Sequence, residues 1–197
     1  MRDAADPFAD TADAVLLQAF AAGDRQAAAV LTARHLPQVL GQATRMLGNR
    51  AEAEDVAQDA MMRLWQTAPD WRDEAQVGTW LYRVVANLCI DRLRKRRRGV
   101  PLDTVDDPAD EAPSVTARMQ TQARMRALSD ALAELPDRQA QAVALRHLEG
   151  LANPEIARIM DISVRSVESL TARGKRALQA LMAGRKAELG YGDDGPE

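Results

Sequence analysis

The sequence predicts an all-α protein of two small helical domains joined by a flexible acidic linker. Apolar residues make up 46% of the chain and aromatic residues only 4%, with Ala, Leu and Arg frequent. Runs rich in Val, Ile, Thr and aromatics with a period of two, which would predict strands, are missing. Between Gly99 and Ser114 lie three prolines and five acidic residues. Such a composition cannot bury enough apolar surface to offset its ordering entropy, so we interpret it as a linker.

The linker defines the expected domain organisation of the 197 residues. We expect a flexible N-terminus at 1–10, an N-terminal domain at 11–98, the linker at 99–118, a C-terminal domain at 119–185 and a flexible tail at 186–197. Fully extended, residues 99–114 could span roughly 50 Å. That length corresponds to on the order of 15 base pairs of B-DNA.

Charge and cysteine content exclude several classes of protein. The first 24 residues carry five aspartates and one arginine, which is unlike a signal peptide. No apolar run approaches the roughly 18 residues that a membrane span needs. The histidines are isolated and the only cysteine is Cys89, so the sequence predicts neither a metal site nor a disulfide framework. We expect a cytoplasmic protein with no membrane insertion, no cofactor and no catalytic residues.

Cys89 leaves two interpretations open. It could be a redox sensor, or a small buried hydrophobe. Since it lies among Leu88, Ile90 and Leu93 on an apolar helix, the buried interpretation is favoured.

Turn residues separate the helices of the N-terminal domain. Gly48-Asn49-Arg50 splits two helical patterns. The next helix ends at Ala68, because the residue before Pro69 disfavours the α conformation. On this helix Val56, Ala57, Ala60 and Leu64 point inward. The opposite face has acidic, amide and methionine side chains: Asp55, Gln58, Asp59, Met62 and Gln66.

A basic helix, TWLYRVVANLCIDRLRKRRRGV, runs from Thr79 to Val100. Its apolar stripe contains Leu81, Val85, Leu88, Cys89 and Leu93. The opposite face presents Trp80, Asn87 and Arg94, with Arg83 beside them. An exposed tryptophan among arginines suits base stacking and phosphate contact. The alternative, a solvated charged face, is disfavoured by Trp80 and by the basic run that includes Arg92, Arg94 and Lys95.

The loop before this helix, WRDEAQVG, begins with Trp71. An aromatic loop could hold a base extruded from the stack, at a cost of a few kcal/mol.

The C-terminal domain contains a helix-turn-helix pattern from Asn153 to Met182. Asn153 is a good N-cap and Pro154 fits the first helical position. Asp161-Ile162-Ser163 makes the turn, and Ser163 can cap the second helix. The outward face of that helix carries polar and basic residues: Arg165, Ser169, Ala172 and Arg176, with Arg173 and Lys175 on its flanks.

This second basic helix has the layout of a recognition helix in the major groove. A helical hairpin that serves only for packing is the alternative. Glu168 either reads a cytosine amino group or points away from DNA. Two separated cationic helices in a chain of net charge −3 indicate two contacts on one nucleic acid.

Taken in order, four segments resemble a sigma factor of bacterial RNA polymerase, of the extracytoplasmic-function group. AEDVAQDAMMRLW, from Ala53, is similar to the helix that grips the polymerase clamp. GTWLYRVVANLCIDRLRKRRR, from Gly78, resembles the helix that melts and reads the promoter −10 element. LPDRQAQAVALRHLEGL, from Leu135, is similar to the entry into the last domain, and EIARIMDISVRSVESLTARGKRAL, from Glu155, to its −35-reading helix-turn-helix.

The resemblance implies three binding sites, several partners and no catalysis or metal. Core RNA polymerase, through its β and β′ subunits, would contact Asp55, Gln58, Asp59, Met62 and Gln66. The −10 element would contact Trp71, Trp80, Arg83, Asn87, Arg92, Arg94 and Lys95. The −35 element would contact Arg165, Ser166, Ser169, Arg173, Lys175 and Arg176. A stress-responsive factor held by an anti-sigma partner is also implied.

The chain departs from the family pattern at Asp161, where glycine is frequent, and at Glu168, where many relatives are basic. WRDEAQVG has fewer aromatics than expected. Two alternatives of other classes are a repressor or activator that uses only the helix-turn-helix, and an adaptor that sequesters a regulator. The first leaves Trp80 and the Asp55 face unexplained, and the basic run ending at Arg98 disfavours the second.

Overall fold

The computed structural model describes residues 11–71, 76–99 and 115–184, and in these ranges every regular element is a helix. The first group of helices is α1 (Asp13–Ala21), α2 (Arg25–Leu47), α3 (Arg50–Thr67), a 3-10 turn (Ala68–Asp70) and α4 (Val77–Arg97). The second group is α5 (Val115–Glu134), α6 (Asp137–Val143), a π-type turn (Ala144–Leu148), α7 (Asn153–Met160) and α8 (Val164–Gly184). The all-α prediction is confirmed.

The helix limits of the first group follow from local capping. Gly48 ends α2 in the left-handed region, at φ +63°. Asn49 then caps α3, accepting a hydrogen bond of 3.0 Å from the backbone N–H of Glu52. At its far end α3 gives way to the 3-10 turn that contains Pro69. The predicted breaks at Gly48-Asn49-Arg50 and at Ala68 are confirmed.

The apolar faces of α2, α3 and α4 meet in the first core. Leu81, Val85, Cys89 and Leu93 are buried along the inner face of α4, while Leu88 is half-buried. Each buried Leu or Val stabilises the fold by about 1.5–3 kcal/mol. This packing fixes which face of α4 remains available to a partner.

The helix-turn-helix forms as predicted, with one shift at its start. Asp161 holds the turn at φ +52°, and Ser163 Oγ accepts the backbone N–H of Ser166 at 3.2 Å. The N-cap of α7 is Ala152, so the N-cap prediction for Asn153 is wrong. The physical reason is Glu155, whose Oε2 accepts the Ala152 N–H at 2.9 Å and starts the helix one residue earlier.

The two groups of helices are in direct contact. Leu132, Leu135 and Val143 of the second group belong to the same buried cluster as the core of the first group. Ser129 Oγ donates a hydrogen bond of 2.8 Å to the carbonyl oxygen of Met46, in the last turn of α2. The first core therefore extends into the second group, while the helix-turn-helix has a separate buried cluster that includes Ile156 and Val167.

Parts of the expected domain organisation lie outside the described residues, namely 1–10, 100–114 and 185–197. Helix α5 begins at Val115, four positions before the predicted start of the second domain. The domain limits themselves stay predictions. Among the described residues no helix combines the length and apolarity needed to cross a membrane.

Candidate nucleic-acid interface

The outer face of α8 is a polar surface next to a shallow cavity of about 410 Å³. Four predicted residues line this cavity: Arg165, Ser166, Ser169 and Arg173. Their exposure follows from packing on the opposite side of α8, where Val167 and Gly174 are buried. The structure thus brings the N-terminal half of the predicted −35 face together in one place.

The arginines of this face retain donors for a ligand. Arg173 Nε donates to the Ser169 carbonyl at 3.3 Å, and Arg176 Nε donates to the Ala172 carbonyl at 3.4 Å. Each of these bonds uses one of the five N–H donors of a guanidinium. Ser166 is more engaged, since its hydroxyl lies 2.8 Å from the Ser163 hydroxyl within the helix cap.

Arg138 is a candidate residue that sequence reasoning missed. It lies on α6, outside the helix-turn-helix, yet it lines the same cavity as Arg165 and Arg173. Its Nη2 donates to the Met160 carbonyl at 3.4 Å, at the end of α7. No pattern in the sequence marks Arg138, because its place in this cavity depends on how α6 packs against the helix-turn-helix.

Two basic side chains, Lys175 of α8 and Arg146 of the π-type turn, lie near His147. The pKa of His147 is lowered, first by burial and then by the positive charges of Lys175 and Arg146. Lys175 and Arg146 therefore both lie close enough to His147 to disfavour its protonation. Lys175 itself is exposed, as predicted.

Trp71 and Trp80 form an edge-to-face pair, with ring centroids 5.8 Å apart and an interplanar angle of 75°. Both rings are partly buried and pack against the first core. The prediction that Trp80 is an exposed side chain is wrong, because Trp71 follows the 3-10 turn and lies against it. Residues 72–75 of the predicted base-holding loop lie outside the described residues.

Other residues of the predicted −10 site differ in their availability. Arg83, Asn87 and Lys95 are exposed, as expected. Arg92 is not free, since its Nη2 lies 2.6 Å from Asp55 Oδ2. Two residues assigned from sequence to different sites therefore pair with each other, because α3 and α4 are neighbours in the bundle.

Arg94 is also occupied, although the sequence predicts it near DNA phosphates. It forms an ion pair with Asp137 and donates from Nη2 to the Leu135 carbonyl at 3.3 Å. Both partners belong to the second domain. Arg92 and Arg94 are thus paired with carboxylates in the chain without DNA, and their contact with the −10 element stays a prediction.

The predicted polymerase-binding face of α3 is a genuine surface. Val56, Ala57, Ala60 and Leu64 are buried beneath it. The outer residues are all exposed, with Met62 at 49%: Asp55, Gln58, Asp59, Met62 and Gln66. An exposed methionine among acidic and amide groups is suited to a basic partner with an apolar contact point.

Cys89 is fully buried in the first core. Burial raises the pKa of its thiol well above the ordinary value, so the reactive thiolate is disfavoured. The redox-sensor interpretation is therefore disfavoured. Within the described ranges no three His, Cys, Asp or Glu side chains are placed to hold a metal ion.

Fold and surface together define a helical protein with a cationic recognition helix in one domain and a basic, tryptophan-bearing helix in the other. Two family models match these same segments: Sigma-70 region 2 over residues 31–99, and Sigma-70, region 4 over residues 125–178. SigM of Mycobacterium tuberculosis, an extracytoplasmic-function (ECF) RNA polymerase sigma factor, is 34% identical over 175 residues, covering 88% of this chain and 86% of that protein. SigW of Bacillus subtilis, also an ECF sigma factor, is 29% identical, covering 80% and 89% respectively.

Two solved structures are also similar to this chain. CnrH, in complex with the cytosolic domain of CnrY, matches with a TM-score of 0.58 and 26% identity, over 87% of this chain and 97% of that one. RpoE of Bartonella quintana, in complex with the anti-sigma factor NepR, shares the fold at a TM-score of 0.51 and 22% identity, over 77% and 94% respectively. The chain belongs to the ECF group of RNA polymerase sigma factors.

Membership defines the activity as promoter-directed transcription initiation, which is a specificity function. The match of region 2 accounts for the first domain, which a simple repressor or activator would leave unexplained.

Proposed function

We propose that this chain binds core RNA polymerase through the β and β′ subunits, reads the −35 element with α8 and melts the −10 element with α4. The observation that carries the proposal is that both matched regions present an exposed polar face over a buried apolar one. In this proposal the chain catalyses no covalent chemistry and uses no cofactor. Because its partners would be polymerase and chromosomal DNA, we place it in the cytoplasm.

At the −35 element, the N-terminal residues of α8 would meet base edges in the major groove. Arg165 and Ser169 would contact base edges. An arginine side chain can donate two hydrogen bonds to a guanine, and a serine hydroxyl can hydrogen-bond to several different bases. Arg173, Lys175 and Arg176 would contact phosphates, together with Ser166 of the helix cap. Arg138 lines the same cavity, so we add it as a phosphate contact from outside the helix-turn-helix.

At the −10 element, opening each base-pair step costs about 1.4 kcal/mol. Stacking of an extruded base on an aromatic ring returns about 1–3 kcal/mol. Trp71 and Trp80 are only partly buried and pack on each other, which supports a role as a rigid platform for stacking of an extruded base. Arg83 and Asn87 are exposed and would contact the strand beside that platform.

On the polymerase side, the exposed face of α3 would bind a basic surface of the clamp. Gln58, Asp59, Met62 and Gln66 are available for this contact, while Asp55 would exchange Arg92 for a polymerase residue. A Met62→Lys substitution would place a cation in the centre of the contact. We expect it to abolish association with core polymerase while leaving the fold intact, because Met62 is exposed.

Regulation by an anti-sigma factor is part of the proposal. CnrH is similar to this chain and is solved with the cytosolic domain of CnrY, and RpoE with the anti-sigma factor NepR. We infer that this chain also binds an anti-sigma partner, which holds it inactive until a stress signal releases it.

The test is run-off transcription with purified core polymerase and a supercoiled genomic promoter library. Addition of the chain should produce new transcripts whose aligned start sites define both promoter elements. Arg165→Ala/Arg173→Ala should abolish these transcripts without weakening association with core. Arg25→Ala, an equally exposed arginine on α2, is the control and should transcribe normally. The proposal is wrong if the wild-type chain gives no transcripts and does not co-purify with core polymerase.

A further inference from the structure

Glu168 is an acidic residue at the edge of the polar and basic outer face of α8. It follows the buried Val167 and is itself exposed. At about 100° per residue, Glu168 lies about 60° around the helix axis from Arg165. It also lies in the N-terminal half of α8, the part of a recognition helix that meets base edges. The carboxylate is therefore placed where a major groove would be read.

The carboxylate of Glu168 is not neutralised by a neighbour. Among the residues that the structure describes, it has no hydrogen-bond or ion-pair partner. The arginines that follow on α8 bond to the helix backbone instead. Arg173 Nε donates to the Ser169 carbonyl at 3.3 Å, and Arg176 Nε donates to a carbonyl one turn before it. Both carboxylate oxygens of Glu168 thus remain available as acceptors for a ligand.

A pair of arginines, Arg138 and Arg173, lies on the other flank of α8. Arg173 is about 140° around the helix axis from Glu168. It lines the cavity of about 410 Å³ together with Arg138 of α6, and Glu168 is not part of that lining. Because arginines bind phosphates, the flank with this pair would lie against one DNA backbone. Glu168 would then point toward the middle of the groove, over the base edges.

A carboxylate in a major groove has few favourable partners. When ionised it accepts hydrogen bonds and donates none, and the phosphates of either strand repel it. The donors in this groove are the amino groups of cytosine and adenine, and an acidic side chain pairs with cytosine N4. Guanine and thymine present acceptor oxygens there, which repel a carboxylate. Glu168 is therefore suited to select one base and to reject others.

We propose that Glu168 is a specificity-determining residue for the −35 element, where it accepts a hydrogen bond from the N4 amino group of a cytosine. The hydrogen bond favours cytosine at one position of the element. Repulsion from the acceptor oxygens of guanine and thymine disfavours those bases at the same position. This inference rests on the proposed function of α8 as the helix that reads the −35 element.

The test is transcription by core polymerase and the full chain from templates with a randomised −35 region, each identified by a transcribed barcode. Glu168→Ala removes the acceptor. Glu168→Gln replaces it with an amide, which pairs with adenine N6 and N7. Asp161→Asn is the matched control, because it removes one exposed negative charge from the same helix-turn-helix and asparagine tolerates the left-handed turn. Far-ultraviolet circular dichroism verifies that each variant keeps its helix content.

The wild-type chain should favour cytosine at one position of the −35 element. A good pair of hydrogen bonds to a base discriminates against a wrong base by about five- to hundredfold. Since cytosine offers a carboxylate one amino group, we expect the lower part of that range, about five- to twentyfold. Glu168→Ala should lose this preference at that position alone, and Glu168→Gln should change it from cytosine to adenine. Asp161→Asn should keep the wild-type preference.

Two results would overturn the role of Glu168. The first is a set of base preferences that is identical in the wild-type chain and in Glu168→Ala. The second is a gain in transcription that is uniform over all −35 sequences and equal in Glu168→Ala and Asp161→Asn. In that case the carboxylate would only weaken the attraction to phosphates and would read no base.

Selection of bound duplexes from the same library separates this inference from the proposed function, because it needs no transcription. The full chain is mixed with core polymerase and the library, and the retained duplexes are sequenced. Transcripts whose −35 preferences do not depend on Glu168 refute its role and leave the sigma activity standing. Absent transcripts, with a cytosine preference among the bound duplexes that Glu168→Ala loses, refute the proposed function and retain the role of Glu168. Bound duplexes without a cytosine preference overturn that role in either case.

Discussion

Gly174 is the position where a single added carbon should have the clearest structural effect. A Cβ atom there would lie 2.6 Å from Val143 Cγ2 and 3.2 Å from the Gln139 carbonyl oxygen. Optimal carbon–carbon contacts are about 3.5–4.0 Å. Val143 is buried and the Gln139 oxygen belongs to the backbone, so neither neighbour can move away cheaply. The close approach of α6 and α8 therefore requires glycine at this position.

We expect Gly174→Ala to lower the free energy of unfolding by about 2 kcal/mol. Overpacking in a buried site costs about 1–3 kcal/mol, and this contact is short enough for the upper end of that range. Replacement of glycine by alanine inside a helix returns about 1 kcal/mol. The net loss is the difference between these two effects.

The free energy of unfolding is measured by urea denaturation, monitored by circular dichroism. Gly184→Ala is the control in the same helix, because a Cβ at Gly184 would meet nothing within 4 Å. It should leave the unfolding midpoint unchanged or raise it slightly. Addition of Val143→Ala, which removes the clashing methyl group, should recover on the order of 1–2 kcal/mol in a double-mutant cycle. If Gly174→Ala is as stable as the wild-type chain at an unchanged m-value, the close packing of α6 on α8 is refuted.

Three further predictions concern the turn, a histidine and the cysteine. Asp161 lies at φ +52°, so Asp161→Gly should be about 1–2 kcal/mol more stable than Asp161→Val in urea denaturation; equal stabilities would contradict the left-handed turn. The lowered pKa of His147 means that its protonation is disfavoured in the folded chain. Its contribution to stability is therefore complete above the ordinary pKa of about 6.5 and is lost as the pH falls through the lowered value. An NMR titration should give a midpoint below 6.5 for the free chain, and a midpoint at or above it would argue against the burial and the cationic surroundings of His147. Burial raises the pKa of Cys89, so its thiol should react with iodoacetamide only after denaturation, and rapid reaction of the native chain would contradict its burial.

Local features of the structure could be predicted from the sequence. The Gly48-Asn49 break depends on residues that end one helix and cap the next. The turn at Asp161 and the cap at Ser163 depend on side chains within three residues of the backbone they serve. The inner faces of α3, α4 and α8 follow from a helical period of 3.6 residues. Each of these features depends only on residues that are close to one another along the chain.

The availability of the polar faces could not be predicted in this way. Helical periodicity indicates that Trp80, Arg92 and Arg94 lie opposite the apolar stripe of α4. It does not indicate which other helix packs over that side. Arg92 pairs with Asp55, 37 residues earlier in the chain, and Arg94 pairs with Asp137 of the second domain. Neither partner could be chosen from spacing alone, since many acidic residues were equally possible.

The sequence by itself thus determined the helices, their turns and the residues that face a core, because these depend on short-range sterics and on the period of the apolar pattern. Tertiary structure alone decided that Trp71 lies against Trp80 and that Arg96 of α4 pairs with Asp130 of α5. The physical reason is that such contacts depend on how closely whole helices approach one another. That approach is set by small residues at particular crossings, such as Gly174 against Val143, and by the collective burial of two apolar faces in one core.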